Sequence, residues 1–170
     1  MDEREALDRE TFAQVWSRVS PKGEGPVEVI PPADSPGRED AVAGQLQELV
    51  LTMLTDASVY RDLARRTRRS VAAVTALARL KTAQARRLGA AYFLMTGVRY
   101  WPAGVTPVNP PEGFFPALRE RFLAEGRLAG ALEALAAQAI DPDLRELYRD
   151  LAQETRELTR TIRMIVERET

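Results

Sequence analysis

The sequence predicts an all-α fold: a four-helix bundle of two antiparallel helical hairpins joined by a long crossover loop, with a short extra helix at the N-terminus. Three observations carry this. Four long stretches repeat apolar residues at i, i+3, i+4 and i+7, the period of one helix face. The first two stretches are joined by the short segment RRTRRS and the last two by QAIDP, lengths that fold neighbouring helices back on each other. Between the pairs lies GVRYWPAGVTPVNPPEG, too rich in proline for a helix, yet long enough at about 3.3 Å per residue to travel the length of a helix of about 40 Å.

The elements follow in order. Residues 1–19 are expected to form an accessory helix, in which Phe12, Val15, Trp16 and Val19 share a face behind Thr11 as cap. Residues 20–38 are a linker, since Pro21, Pro26, Pro31, Pro32 and Pro36 exclude both helix and central strand. The bundle occupies 39–170. Its first helix, about 39–66, faces inward through Val42, Leu46, Leu49, Met53, Ala57, Tyr60 and Ala64, and its second, about 70–96, through Val74, Leu77, Ala78, Leu88, Ala91 and Met95. The third, about 113–138, offers Phe115, Leu118, Phe122, Ala129, Leu132 and Ala136. The fourth, about 142–168, offers Leu144, Leu147, Tyr148, Leu151, Leu158, Ile162 and Ile165 behind the start signal of Asp141 and Pro142. Trp101 is expected to anchor the crossover on the bundle.

Composition removes whole classes of chemistry. With no cysteine there is no disulfide, thiolate nucleophile, iron–sulfur cluster or thiolate zinc site. With no histidine, imidazole-dependent triads and metal sites go too. Any metal would be held by carboxylates, carbonyls and water. The balance of 24 basic and 25 acidic residues gives no global field for nucleic acid or an anionic membrane. The arginines of RRTRRS (Arg65, Arg66, Arg68 and Arg69) suit a helix C-terminus and lack interleaved aromatics, so no nucleic-acid partner is expected. The start MDEREALDRE lacks the apolar core of a secretory signal and the longest oily run, AAYFLMTGV, is too short for a membrane span, so the expected location is cytoplasmic.

The two hairpins echo each other: YRDLA from Tyr60 aligns with LEALA from Leu132, and LARLK ending at Lys81 with LAQET ending at Thr155. Extending the apolar stripes turns four polar side chains inward, Lys81, Gln84, Glu125 and Thr155, while Met53 takes the corresponding place on the first helix. A buried charge is costly unless paired, so either Lys81 and Glu125 neutralise each other at one level of the bundle, with Gln84 or Thr155 hydrogen-bonded to the lysine, or small helix rotations let both snorkel to the surface; the buried pair is the expected arrangement.

This pattern, over about residues 39–168, resembles the ferritin-like superfamily, near its rubrerythrin-like di-iron bundles. In that family each hairpin carries a glutamate seven residues before a packing residue, then glutamate-x-x-histidine on the next helix. Carried over, Met53 stands at the first glutamate position, Lys81 at a glutamate position and Gln84 at a histidine position. In the second hairpin Glu125 matches, while Thr155 and Leu158 replace glutamate and histidine. One of six positions is kept, a set that cannot hold two metal ions. The resemblance therefore implies a bundle with no cofactor and no catalytic residues, in which Lys81 stands where metal charge would stand.

Three functions fit. The leading expectation is a non-catalytic, metal-free structural or interaction module that self-associates, most simply as a homodimer, with any other protein partner unnamed by the sequence. The second is a metal-binding or oxidoreductase bundle with a carboxylate site rebuilt from Glu125, Asp56 and Glu154. The third is a small-molecule-binding bundle with a cavity between Met53, Gln84 and Leu158. Asp56, Tyr60, Tyr148 and Glu154 otherwise read as surface or packing residues.

Overall fold

The computed structural model describes residues 36–169, and the expected accessory helix and most of the linker lie outside them. The described residues form four α-helices and no strand: α1 Pro36–Arg65, α2 Val71–Thr96, α3 Phe114–Gln138 and α4 Pro142–Glu169. The first departs from expectation. It begins three residues before 39, because a proline at the first helical position gives up an N–H that has no intrahelical partner there anyway.

Each end has a local cause. Helix α2 stops at Gly97, whose φ of 71° is the left-handed region that glycine enters without Cβ strain; its N–H donates to the Phe93 carbonyl at 2.8 Å. Helix α4 starts under the Asp141 carboxylate, which accepts from the N–H groups of Asp143 and Leu144 at 2.8 and 3.1 Å. Arg145 reaches back from α4 to the carbonyl oxygens of Ala139 and Ile140 just past the end of α3, at 2.9 and 3.3 Å.

Two apolar clusters fill the bundle and define its topology. One joins Leu46, Val50 and Met53 of α1 to Leu88 of α2, Leu132 and Ala136 of α3, and Tyr148 and Leu151 of α4. The other joins Tyr60 and Leu63 of α1 to Val74 and Leu77 of α2, Leu118 of α3, and Leu158 and Ile162 of α4. The early part of α1 thus shares an end with the late part of α2 and of α3, so α1 runs antiparallel to both, and α2 runs parallel to α3. Parallel successive helices require a connection that returns along their full length. Residues 97–113 make it: Tyr100 and Val105 pack on the first cluster, and the Pro111 carbonyl accepts from Arg66 at the opposite end at 2.9 Å.

Two expected packing residues do not pack as expected. Trp101 is 51% exposed, and its neighbour Tyr100 does the anchoring, with its ring 5.6 Å from that of Tyr92. An extended loop turns successive side chains to opposite sides, so only one of the two can face the bundle. Phe115 is 42% exposed at the start of α3, where Leu118 one turn later faces the core instead. No helix among the described residues is long and apolar enough to cross a membrane.

Candidate functional site: a buried charged layer

Between the two apolar clusters each helix presents a polar residue inward: Asp56 on α1, Lys81 and Gln84 on α2, Glu125 on α3 and Thr155 on α4. Lys81, Gln84, Glu125 and Thr155 are all at 0% exposure, and Asp56 is at 8%. The level is set by helix geometry: the stripes that carry the clusters continue through these positions, so a polar side chain placed there has no route to water short of crossing the packed seam.

The structure brings Lys81 and Glu125 together. The Lys81 ammonium donates to Oε2 of Glu125 at 2.5 Å, and both side chains are fully buried. The other carboxylate oxygen, Oε1, accepts from the Tyr60 hydroxyl at 2.9 Å. The lysine has two further neighbours at 3.7 Å, the Met53 thioether and Oδ2 of Asp56. Asp56 in turn receives Arg121 at 2.5 Å, with both side chains almost wholly covered. Two cations and two anions thus occupy one level and sum to zero charge, the condition under which buried ions are tolerated.

The electrostatics follow from burial first and neighbours second. Removal from water pushes the Glu125 carboxyl above its ordinary range, and the Lys81 charge is the strongest influence pulling it back. Burial raises the Tyr60 phenol well above its usual value, and the adjoining Glu125 charge adds to this. The phenol therefore stays a hydrogen-bond donor to the carboxylate.

The remaining expected residues divide. Met53 is buried and contributes a thioether to the lysine. Leu158 belongs to the apolar cluster beside the layer. The expected hydrogen bond from Lys81 to Gln84 or Thr155 is not the one formed, because Met53, Asp56 and Glu125 surround the ammonium. Gln84 instead donates to Oε2 of Glu154 at 3.1 Å, while its own oxygen has no partner. The Thr155 hydroxyl has none either. Glu154 lies a third exposed at the rim, held by Arg87 at 2.6 Å, and Arg87 also pairs with Asp150 at 2.9 Å.

Two participants escaped the sequence reading, Tyr60 and Arg121. Spacing alone makes Tyr60 a packing residue, although a phenol on an inward stripe needs a partner for its hydroxyl. Arg121 is one helical turn before Glu125, the spacing that places both on adjoining parts of one face. A further signal is the choice of lysine itself. The chain has two lysines, Lys22 and Lys81, against 22 arginines, since 24 basic residues less two leaves 22. A compact ammonium on a flexible stem was placed at the one fully buried cationic position of the described residues, where a planar guanidinium would need more room.

The donor set does not suit a pair of metal ions. Both oxygens of Glu125 are engaged, Asp56 is held by Arg121, and Glu154 by Arg87. Among the described residues no three carboxylates converge as a metal site would require. A cation brought to Glu125 would also meet the Lys81 ammonium within hydrogen-bond distance. No protein-family model matches the chain, and no curated protein or solved structure matches it.

Proposed function

We propose that the chain is a metal-free, non-catalytic member of the ferritin-like lineage that serves as a structural or interaction module and associates with copies of itself. The observation that carries this reading is the fully buried Lys81–Glu125 pair, in which a covalently attached cation would stand in for the metal charge of a di-iron bundle. Several features support the lineage. The helices form two hairpins joined by an end-to-end crossover. The retained carboxylate, Glu125, stands at one of the six expected positions, and Met53, Lys81, Gln84, Thr155 and Leu158 fill the other five as buried side chains.

The chemistry supports a non-catalytic role on the same ground. A Lewis-acid or redox centre needs anionic ligands with free lone pairs, and here the inward carboxylates already accept from Lys81, Tyr60 and Arg121. The lysine, for its part, is enclosed by the packed seam and so is closed to a carbonyl substrate.

The test is elemental analysis of the purified protein, before and after anaerobic incubation with excess ferrous and manganous ions, together with sedimentation to read the assembly state. The proposal expects no stoichiometric metal, no thermal shift on metal addition, and a defined oligomer. One or two ions per chain, lost on Glu125→Ala, would replace it with the rebuilt carboxylate site.

A further inference from the structure

The polar contacts at the middle of the bundle join one hairpin to the other. The α1–α2 hairpin supplies Tyr60, Lys81 and Asp56, and the α3–α4 hairpin supplies Glu125 and Arg121. Lys81 meets Glu125 at 2.5 Å, Tyr60 meets Glu125 at 2.9 Å, and Arg121 meets Asp56 at 2.5 Å. The charged contact inside the first hairpin, Lys81 to Asp56, is longer at 3.7 Å. Each carboxylate of the layer, Glu125 and Asp56, therefore takes its shortest contacts from the other hairpin.

This matters because the hairpins are otherwise alike. Their apolar stripes follow the same spacing, and Met53, Lys81 and Gln84 stand at the positions that Glu125, Thr155 and Leu158 hold in the second. Hydrophobic burial is non-directional, so oily stripes of equal period would let either hairpin pack on a copy of itself. The layer distinguishes these outcomes. A second hairpin packed on its own copy would bury two Glu125 carboxylates without the Lys81 and Tyr60 that hold both their oxygens, leaving only Arg121, one turn away on the same helix, as cation. A first hairpin on its own copy would bury two Lys81 ammoniums with only the more distant Asp56 of their own hairpin as carboxylate, and leave two Tyr60 hydroxyls without the carboxylate they serve. An axial slip of one turn would carry Lys81 away from Glu125 into an apolar cluster.

We infer that the Lys81–Glu125–Tyr60 layer is a pairing device: it admits the first hairpin only against the second, fixes their axial register, and disfavours either hairpin against its own copy. The same rule makes one kind of association between copies compatible with the layer. The first hairpin of one copy fits the second hairpin of another, a reciprocal exchange through the crossover at 97–113. The inference concerns how the bundle assembles, so it survives failure of the proposed role.

Complementary charge reversals in the full chain test it. Lys81→Glu sets a second carboxylate against Glu125 and Glu125→Lys a second ammonium against Lys81, so each alone is expected to lose the cooperative thermal transition or shift it sharply down. The double variant K81E/E125K is expected to recover it. Refolding an equal mixture of the two single variants is expected to give a 1:1 heterodimer in sedimentation with a cooperative transition that neither single variant shows, because exchange gives one bundle the parent pair and the other the reversed pair. A mixture that behaves as the sum of its parts while the double variant folds would overturn the inference. A neutral variant, Lys81→Met with Tyr60→Phe, Glu125→Leu, Asp56→Leu and Arg121→Met, which removes every polar contact between the hairpins at this level, is expected to keep its melting temperature yet populate more than one species. A single sedimenting species with one set of amide cross-peaks would overturn the inference whatever the charge reversals do.

Discussion

Lys81→Met is the most informative single substitution. Methionine keeps the length and apolar stem of the lysine and removes only the charge, so the helix and its packing are little disturbed. What is lost is the nearest partner of a carboxylate that is fully buried, at 2.5 Å. Breaking a buried pair by removing one member costs about 3–5 kcal/mol, because the other is left uncompensated. For a domain of this size that corresponds to a fall in melting temperature of roughly 10–20 °C. The loss also depends on pH in a definite direction. The Glu125 carboxyl already titrates above its ordinary range because of burial, and Lys81 is the strongest influence lowering it. Without Lys81 it titrates higher still. A carboxyl whose folded value is raised stabilises the fold when protonated; that contribution is complete below its unfolded value and is lost as pH rises through the folded one. The deficit of the variant is therefore largest at neutral pH and shrinks on acidification. Urea denaturation of both proteins across the acidic to neutral range measures it. A variant as stable as the parent at neutral pH, or a deficit that grows on acidification, would refute the reasoning.

Three further predictions test the layer from other sides. Lys81→Arg keeps the charge but must seat a larger planar head among Met53, Asp56 and Glu125, so thermal denaturation should show a loss of about 1–3 kcal/mol; an unchanged protein would mean the site has room to spare. Thr155→Val replaces a buried hydroxyl that has no partner with a methyl of equal shape, and should be neutral or stabilising by about 1 kcal/mol in urea melts; a clear loss would mean the hydroxyl is bonded. Burial holds the Tyr60 phenol well above the ordinary tyrosine range, so stability should fall as pH rises past that range and the unfolded chain ionises first. Alkaline difference spectra of the folded protein should accordingly be unchanged by Tyr60→Phe.

Much of the architecture is legible from spacing alone, because helix existence and connection length are local properties. The four apolar stripes, the short turns and the proline-rich crossover needed no tertiary information, and the observed ends of α2, α3 and α4 fall within a residue of those expected. The start of α1 is not legible in the same way, because Pro36 reads as a breaker by composition and as a helix starter by position. Trp101 and Tyr100 could not be told apart, since the sequence does not say which face of an extended loop meets the bundle.

At the site, the periodicity turned Lys81 and Glu125 inward, and the cost of a lone buried charge suggested they should meet. The wider set of contacts was not accessible in the same way. Which third group approaches an ammonium depends on rotamers and on the axial offset between helices, and these favoured Met53 and Asp56 over Gln84 and Thr155. Arg121 was hidden by ambiguity of a common kind: an arginine near the edge of an apolar stripe reads as solvated until the carboxylate beside it is known.

The most direct test of the buried pair is the side-chain ammonium signal itself. With lysine present only at positions 22 and 81, protein labelled with 15N in lysine gives a two-signal spectrum, and Lys81→Met assigns the second. A proton-coupled NH3+ resonance for Lys81 that persists at neutral pH with slow hydrogen exchange, and moves on Glu125→Gln, is the predicted result. An ammonium exchanging as fast as a solvated lysine and indifferent to Glu125 would contradict the account.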